Sequence, residues 1–569
     1  MKSRFSLIQE NDVEFCMAEI EEGILPEAKF TNLNEVLDEK AQNMPDKVFI
    51  KYEDKTLTFS EFQDKVLRLA NVFQSMGATK GDFIGIQTTN SIEFCICIYA
   101  CYRIGAVATP IISLWMAREV AEAIQRAKIE LFVVKASITS VAKKAAKTPP
   151  IKSIIVIGES NEYAGTPQVK GEFWNLIVNA EASDPKIELQ PSDLASCHFT
   201  SGTTGHSKGV LHDHAGYVYA GRVLSATFGL TESDYSALVL PMYHIFGFIQ
   251  LSSTVFVGAT IRMLDKFDPQ VLLGALEDPD LTLFCGVPSI FKMLMAQENV
   301  ESFTVSPKNR LFISGAGALP AETEQDLNER LLKGHGKVCQ GYGGTEDTCV
   351  GTSTASHPVL GSIGIPEPGV EIEYVDDEGN ILPLGKDNIG ELVNKGPHIM
   401  IGYLGDPKAD DPVDHKLTDP VLKPIQGREG IWYWSGDVGY RDENGDCYLT
   451  DRSKDIAKVS ERIVYPSEVE VVLGNHPGVK EIAVVGVPHK IYGEQLLAVV
   501  VPTADYKESK EILEQELKEL AENELAKYKV PRIWWFKNQL LTNSLGKVLK
   551  KEYREQFNKQ QDKGEETTE

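Results

Sequence analysis

The chain has 569 residues, 42% hydrophobic and 24% charged, which is ordinary globular composition with enough apolar material for a core. Its 57 basic and 82 acidic residues give a net charge of −25, which argues against nucleic acid as a partner because a phosphate backbone attracts a basic surface. The nine cysteines show neither a paired framework nor zinc-binding spacing.

The N-terminal sequence "MKSRFSLIQENDVEF" carries acidic residues before any apolar run, so we expect no secretory signal and a cytoplasmic location. The most membrane-like stretch is "IEFCICIYACYRIGAVATPII", residues 92–112, but Glu93 and Arg103 interrupt it. It is better interpreted as a buried helix followed by a strand. We therefore expect no membrane span.

Helical and strand patterns alternate over the N-terminal part of the chain. "FSEFQDKVLRLANVFQSMG" predicts a helix that stops at a glycine, and "DFIGIQT" predicts a strand. "TIRMLD" and "LTLFCGVP" are typical of strands, whereas "PQVLLGALED" and "PAETEQDLNERLLKGHG" are typical of helices. The segment 149–190 is interpreted as connecting surface structure. This alternation predicts a large layered α/β domain.

The pattern changes to glycine-punctuated strands near residue 360, where "DEGN" predicts a hairpin turn in a β-rich subdomain. After "YLTDRSKD" it changes again. Ser467 and Glu470 are spaced as a capping box, the strands "EIAVVGV" and "QLLAVVVP" follow, and a glutamate-rich helix is expected near 509–527. We predict a domain over 1–452 and a small, mobile α+β domain over 453–569.

The segment "FTSGTTGHSKGVLHDH", residues 199–214, has the composition of an anion cradle. The predicted strand "LASCHF" leads into a loop whose free backbone N–H groups and hydroxyls converge beside a lysine. It differs from the common nucleotide P-loop because Ser207 precedes Lys208 and Gly209 follows it. A flexible linker is the alternative interpretation. The candidate phosphate-binding residues are Thr200, Ser201, Gly202, Thr203, Thr204, Gly205 and Lys208.

This loop resembles the phosphate loop of the adenylate-forming, AMP-binding superfamily of acyl-CoA and aryl-CoA synthetases. Further motifs that resemble the family follow in order along the chain: "LTFSEF", "NSIEFCICIYACYRIGAVATP", "LPMYHIFGF", "GYGGTED", "GSIGIPEPGVEIEYVD", "YWSGDVGYRDENGDCYLTDRSKD" and "LTNSLGK". The resemblance implies an enzyme that joins a carboxylate to the α-phosphorus of ATP, releases pyrophosphate and passes the acyl group to a thiol, with ATP, Mg²⁺ and coenzyme A as cofactors.

The resemblance also implies roles for individual residues. Lys208 and the loop donors would hold the departing phosphates, Glu346 would bind Mg²⁺, and Thr345 would contact phosphate. Lys547 would be the catalytic lysine of the small domain, and Lys454 the hinge between the two domains. Further nucleotide contacts are expected from Gly315, Ala316, Gly317, Tyr342, Gly343, Asp437, Arg452 and Lys458, and an acyl pocket from His244, Val287, Gly343 and Gly344.

Taken singly, several of these residues have ordinary structural interpretations: a surface-turn acid for Glu346, a core aromatic for Tyr342 and a satisfied core histidine for His244. Only the ordered series of motifs favours the functional interpretation.

One segment departs from the family pattern. "KVSERIVYP" carries Glu461 where relatives usually have glycine and Ile463 where they usually have a polar residue. In relatives this loop approaches the pantetheine channel, where an acid would repel the phosphates of coenzyme A.

We expect a carboxylic acid larger than acetate, because acetate-activating relatives place a tryptophan near the "GYGGTE" position, where Gly343 and Gly344 leave room. Aryl, alicyclic and medium-chain acyl groups all stay open. Three functions remain open: an AMP-forming acid–CoA ligase, a ligase that loads a carrier-protein thiol, and a non-catalytic acyl-nucleotide binder. A homodimer is a further hypothesis.

Overall fold

The computed structural model describes residues 28–138, 148–158, 166–200, 207–317, 319–452, 454–459, 462–489, 493–543 and 547–562. The chain divides into two compact units, Met1–Ile372 with Val393–Trp434 and Glu373–Leu392 with Ser435–Glu569. The division falls within the strands Glu371–Val375, Gly390–Lys395 and Trp432–Arg441. Among the helices described, none combines the length and the apolar character needed to cross a bilayer.

The first sheet of the first unit is mostly parallel, with antiparallel strands at both edges. Its strands, in order of pairing, are Ile365–Pro366, Thr352–Ser353, Lys337–Tyr342, Leu311–Ser314, Leu283–Gly286, Tyr235–Leu238, Thr260–Met263, Val48–Tyr52 and Lys55–Thr58. Parallel strands joined by helices confirm the predicted layered α/β architecture.

The second sheet of the first unit contains the strands on both sides of the predicted phosphate loop. Its strands, in order, are Gly402–Tyr403, Lys208–Asp213, Leu194–Thr200, Val107–Pro110, Phe83–Gln87, Leu131–Lys135, Ser153–Ile157 and Val169–Glu172. The first three are antiparallel and the rest pair in parallel. This pairing fixes the position of Tyr403 relative to Lys208.

Two helices of the first unit confirm sequence predictions. Phe59–Ser75 begins at a capping box formed by Thr58 and Glu61. Ile92–Arg103 is buried along almost its whole length and is followed by Val107–Pro110, as its apolar composition predicted. The other helices are Leu33–Asn43, Ala117–Arg126, Phe173–Val178, His214–Phe228, Ile245–Val257, Pro269–Leu276, Pro288–Met295, Ala321–Asp326 and His415–Thr418.

The interpretation of 149–190 as connecting surface structure was wrong for the strands and helix within 153–178, whereas 179–190 contain no helix or strand and are mostly exposed. Ser153–Ile157 is a fully buried strand between two parallel neighbours, Val169–Glu172 pairs with it, and Phe173–Val178 is a short helix. "SIIVI" is a continuous apolar run, which is the pattern of a strand covered on both faces. Such a strand shows no alternation of apolar and polar residues.

The second unit includes the strand Cys447–Arg452, which pairs with Trp432–Arg441. Its C-terminal part is an α+β structure with an apolar core on each face of a further sheet. The sheet consists of Arg462–Val464, Ala457–Val459, Gly493–Pro502 and Val479–His489, with Ile533–Phe536 parallel to Gly493–Pro502. The helices are Pro466–Gly474, Lys510–Glu524 and Lys550–Asp562. The predicted "DEGN" turn is present, since the Asp376 N–H donates to the Asn380 carbonyl and Val375 bridges Ile381.

The predicted capping box of Ser467 and Glu470 is not formed. The helix begins at Pro466, because proline is favoured at the first helical position, and Ser467 is already inside the helix. The Ser467 hydroxyl donates to the Thr450 carbonyl, and Glu470 forms an ion pair with Lys550 at 2.8 Å.

Candidate active site

Several of the predicted residues lie at one edge of the first sheet. The strands Leu283–Gly286, Leu311–Ser314 and Lys337–Tyr342 are neighbours and parallel. Val287, the segment 315–317 and the segment 343–346 follow these three strands directly. Since ligands of open α/β sheets bind outside the carboxyl ends of the strands, the topology places these residues where a ligand site is expected.

The "GYGGTED" segment is a tight turn in which Gly343 has a structural role. A Cβ atom on Gly343 would lie 2.5 Å from the carbonyl carbon of Cys349, so no side chain fits there. Thr348 and Cys349 both have positive φ, at 55° and 57°. The Met400 N–H donates to the Glu346 carbonyl at 2.7 Å. The backbone of Glu346 is therefore fixed by its surroundings before any ligand binds.

The Glu346 carboxylate is positioned by a tyrosine from the second sheet. The Tyr403 hydroxyl donates to Glu346 Oε1 at 2.9 Å. Burial and the charge of Glu346 both raise the pKa of Tyr403, so its hydroxyl stays a neutral donor. Glu346 Oε2 accepts no hydrogen bond from the described residues, which leaves one carboxylate oxygen available to a ligand.

The same tyrosine contacts Lys208. The Lys208 Nζ atom lies 4.3 Å from the centroid of the Tyr403 ring, within the range of a cation–π interaction. Tyr403 lies close to Lys208 because it pairs with Val210 on the same strand as Lys208. On the other side of that strand, Thr200 pairs with Lys208. In the part of the chain that the structure describes, the Lys208 ammonium has no ion pair. Lys208 and the half-buried Glu346 thus share one contact residue, Tyr403.

A network of polar side chains holds the "GYGGTED" turn in place. Asp347 Oδ1 accepts from the Gly344 N–H, and the Asn394 amide lies 3.4 Å from Asp347 Oδ2 and 3.3 Å from the Val350 carbonyl. His398 Nε2 lies 3.1 Å from Asn394 Oδ1. The Thr345 hydroxyl makes no hydrogen bond to the described residues and is only partly buried. These contacts hold the turn while leaving Thr345 accessible.

The predicted adenine-side segment is also close-packed. Ala316 has φ of 64°, a left-handed conformation that is uncommon for alanine. A Cβ atom on Gly315 would lie 3.0 Å from the Phe246 ring, whereas one on Gly317 would be 3.6 Å from Pro288. Tyr342 is half-buried at the end of the neighbouring strand Lys337–Tyr342. Small residues here let the backbone approach a planar ligand closely.

A mostly apolar cavity opens beside this segment. The space available to the centre of a water-sized sphere is about 70 Å³. Its apolar walls include Leu224, Phe228, Phe246, Ile249, Val257 and Ile313, and its polar residues include Gln250, Ser253, Ser314 and Glu367.

The predicted pocket residues have different relations to this cavity. Gly343 lines it, whereas His244, Val287 and Gly344 are not among the residues that form its walls. His244 is the N-cap residue of Ile245–Val257, and burial lowers its pKa to about 4, so its ring is neutral near pH 7. Phe246, from the same "LPMYHIFGF" motif as His244, lines the cavity.

The second unit brings together another group of predicted residues. Asp437 pairs with Arg452 across adjacent strands, and Arg452 Nε lies 2.8 Å from Asp437 Oδ1. The Asp437 N–H donates to the Ser435 hydroxyl at 3.1 Å. Asp437 thus presents an oriented carboxylate with a guanidinium beside it, which suits a ligand that carries hydroxyl groups.

Lys547 belongs to the same group. Its N–H donates to Asn543 Oδ1 at 2.9 Å, and the Asn543 N–H donates to the Lys547 carbonyl at 2.8 Å. Loss of hydration around the ammonium, and then the positive charge of Arg452, lower the pKa of Lys547 to about 8. Asp437 opposes this shift.

The remaining predicted residues of this unit lie on the adjoining turn and strand. Lys454 is exposed in a turn where the Asp455 and Ile456 N–H groups donate to the Arg452 carbonyl. Lys458 is exposed on Ala457–Val459, and its N–H donates to Glu494 Oε2 at 2.7 Å. Thr200 ends the strand before the phosphate loop. Ser201, Gly202, Thr203, Thr204, Gly205 and Glu461 lie outside the described residues, as does the side chain of Ile463.

Sequence reasoning missed Tyr403, Asn394 and Glu367. Tyr403 lies 57 residues from Glu346, and the link depends on a two-residue strand, Gly402–Tyr403, that has no distinctive pattern. Glu367 lies within the motif "GSIGIPEPGVEIEYVD", yet only the fold shows that it lines the cavity.

The AMP-binding enzyme family matches residues 37–404, and the C-terminal domain of AMP-binding enzymes matches residues 468–547. This chain belongs to the AMP-binding enzyme family. The mixed α/β fold agrees with that assignment.

Three relatives illustrate the similarity. The long-chain-fatty-acid–CoA ligase of Escherichia coli O6:H1 is 27% identical over 563 residues, covering 93% of this chain and 95% of that protein. 4-Coumarate–CoA ligase 2 of Oryza sativa subsp. japonica is 29% identical, covering 88% and 87%. The crystal structure of ATP-bound MatB from Rhodopseudomonas palustris is 29% identical with a TM-score of 0.80, covering 92% of this chain and 99% of that one.

The role of Tyr403 can be tested by removing its hydroxyl. We expect Tyr403→Phe to weaken Mg-ATP binding about tenfold, or ~1.4 kcal/mol, because Glu346 loses its positioning donor while Lys208 keeps the ring. Tyr403→Leu should weaken binding further. Isothermal titration calorimetry measures both.

Tyr235→Phe is the matched control, since the Tyr235 hydroxyl also donates to a carboxylate, Asp278, at 3.1 Å. Equal losses of affinity in Tyr235→Phe and Tyr403→Phe would contradict a specific role for Tyr403.

Proposed function

We propose that this AMP-binding enzyme is an AMP-forming acid–CoA ligase that activates a carboxylic acid with ATP and transfers the acyl group to coenzyme A. The observation that carries the proposal is the pairing of an uncompensated Lys208 with a positioned Glu346 through Tyr403. Joining one anion to another requires local positive charge, and on a chain of net charge −25 that charge must be concentrated at the site.

In this proposal Lys208 and the loop that precedes it hold the β- and γ-phosphates of ATP. Thr345 adds a hydroxyl donor. In the chain as far as it is described, no group of three or more metal-ligating side chains exists, so a metal at Glu346 would complete its coordination with phosphate oxygens and water. That is the binding mode Mg²⁺ prefers, and bound there it would offset phosphate charge.

Lys547, Asp437 and Arg452 then have roles in the first reaction. The carboxylate oxygen of the acid attacks the α-phosphorus, the bond to the bridging oxygen breaks, and pyrophosphate leaves. The Lys547 ammonium stabilises the approaching carboxylate and the α-phosphate oxygens. Asp437 accepts hydrogen bonds from the ribose hydroxyls, and Arg452 orients Asp437. In the second reaction the thiolate of coenzyme A attacks the acyl carbon and AMP leaves.

The acid is larger than acetate. The cavity beside residues 315–317 is walled mainly by aliphatic and aromatic side chains, which stabilise a hydrocarbon body. The relatives named for long-chain fatty acids and for 4-coumarate support both aliphatic and aryl acids as candidates. A homodimer and a cytoplasmic location remain predictions.

The first experiment incubates the protein with Mg-ATP and a panel of aliphatic and aryl acids, measures pyrophosphate, and then adds coenzyme A. We expect pyrophosphate with at least one acid and a thioester after the addition. We also expect Lys547→Ala to reduce pyrophosphate release about a hundredfold while ATP binding changes little.

Lys551→Ala serves as the control, because Lys551 pairs with Glu555 on its own helix. Pyrophosphate without thioester would favour a carrier-protein thiol as acceptor. Neither product with any acid would overturn the proposal in favour of a nucleotide-binding protein.

The pKa of Lys547 predicts a pH dependence. Its ammonium is protonated below about pH 8 and neutral above, so kcat/KM for pyrophosphate release should fall as pH rises through about 8. Arginine stays charged over this range. Lys547→Arg, at whatever rate it retains, should therefore lack this fall. The same decline near pH 8 in both proteins would assign it to another group.

A further inference from the structure

Glu367 is a buried carboxyl on the wall of the apolar cavity. It is only 4% exposed and lies directly after the short strand Ile365–Pro366. Its N–H donates to the Gly351 carbonyl at 2.9 Å, and its Oε2 accepts from the Gly351 N–H at 3.0 Å. These two bonds fix both the backbone and the carboxyl group.

The second oxygen of this carboxyl is unused. Glu367 Oε1 accepts no hydrogen bond from the described residues, and the residues that line the cavity include no lysine, arginine or histidine to pair with it. Burial, and to a lesser degree the charge of Asp347, raise the pKa of Glu367 to about 8, while its bond from Gly351 opposes the shift. A carboxyl oxygen buried in an apolar wall destabilises the folded protein unless it forms a hydrogen bond.

Other polar atoms around the same cavity are also without partners. Gln250 donates its amide to Ser236 Oγ at 2.6 Å and to the Ala237 carbonyl at 3.0 Å, which orients Oε1, yet Oε1 has no partner among the residues that the structure describes. Ser253 Oγ and Ser314 Oγ likewise have none. The cavity-lining residues that the structure describes thus carry buried oxygen atoms without a hydrogen-bond partner beside mostly apolar walls. Glu367 Oε1 is a further oxygen of this wall without one, and a plain hydrocarbon chain or an unsubstituted ring offers it no hydrogen bond.

The chemistry of these atoms favours a hydroxyl as the group they bind. A hydroxyl both donates and accepts, so it suits carboxyl, amide and serine oxygens alike. It also enters an apolar cavity without the hydration loss that an ammonium would suffer. The apolar walls fit the hydrocarbon part of the same molecule.

We propose that Glu367 is a specificity-determining residue that binds a hydroxyl on the hydrocarbon part of the acid, and that the substrates are hydroxy acids. This inference rests on the proposed ligase function. We expect acids without the hydroxyl to be rejected because Glu367 Oε1 would then lack a hydrogen-bond partner among the described residues.

The experiment compares matched pairs of acids: hexadecanoate with 16-hydroxyhexadecanoate, benzoate with 3- and 4-hydroxybenzoate, and cinnamate with 4-hydroxycinnamate. The measured quantity is kcat/KM for pyrophosphate release. We expect the wild-type protein to favour the hydroxylated member of at least one pair about tenfold or more. Glu367→Leu should abolish that preference by lowering kcat/KM for the hydroxy acid while leaving the plain acid equal or better.

Glu367→Gln keeps an acceptor for the Gly351 N–H and tests the proposal should Glu367→Leu fail to fold; its preference should fall as well. Glu324→Leu and Glu324→Gln are matched controls, because Glu324 is a partly buried glutamate that does not line the cavity. Both should keep the wild-type preference.

The outcomes separate the two proposals. No pyrophosphate with any acid overturns the ligase function itself. Turnover of plain acids without preference for any hydroxylated partner, or equal losses for both members of a pair in Glu367→Leu, overturns the role of Glu367 alone. A preference for 4-aminobenzoate over the hydroxybenzoates overturns the assignment of a hydroxyl.

Discussion

The contact of Tyr403 with both Lys208 and Glu346 is the interaction on which the candidate site depends. Its ring lies against the lysine ammonium, and its hydroxyl donates to the glutamate carboxylate. A direct ion pair between Lys208 and Glu346 would neutralise both groups and leave nothing for a ligand. Tyr403 instead contacts the lysine through its ring and the glutamate through its hydroxyl. Under the proposed function, the lysine would bind phosphate and the glutamate would supply an oxygen ligand for a metal.

The rest of the first unit holds this contact in place. Pairing of Gly402–Tyr403 with Lys208–Asp213 fixes the position of Tyr403 along its neighbouring strand. The tight turn after Lys337–Tyr342 fixes the position of Glu346. Gly343 is needed because the backbone of Cys349 fills the space of a side chain. In the second unit, strand pairing performs the same task for Asp437 and Arg452. Chemistry on charged substrates thus depends on backbone pairing over long sequence distances.

The sequence predicted what local patterns encode. The alternation of helices and strands is encoded in local patterns, whereas Lys208, Glu346, Asp437 and Arg452 could be named only because their motifs resemble those of a known family. Sequence-based prediction was wrong where contacts between distant residues determine the structure. Ser153–Ile157 is buried on both faces and therefore lacks alternation of apolar and polar residues. Pro466 starts the helix for which Ser467 was predicted to be the cap. Tyr403 and Glu367 have ordinary sequence surroundings, and only packing reveals that one positions a carboxylate and the other lines a cavity.

The most direct test of the central claim is a crystal structure of the protein with Mg-ATP bound. The account predicts the β- and γ-phosphates beside the Lys208 ammonium, and the metal about 2.1 Å from Glu346 Oε2 while Oε1 keeps its bond from Tyr403. A triphosphate bound away from Lys208, or a metal with no contact to Glu346, would contradict it.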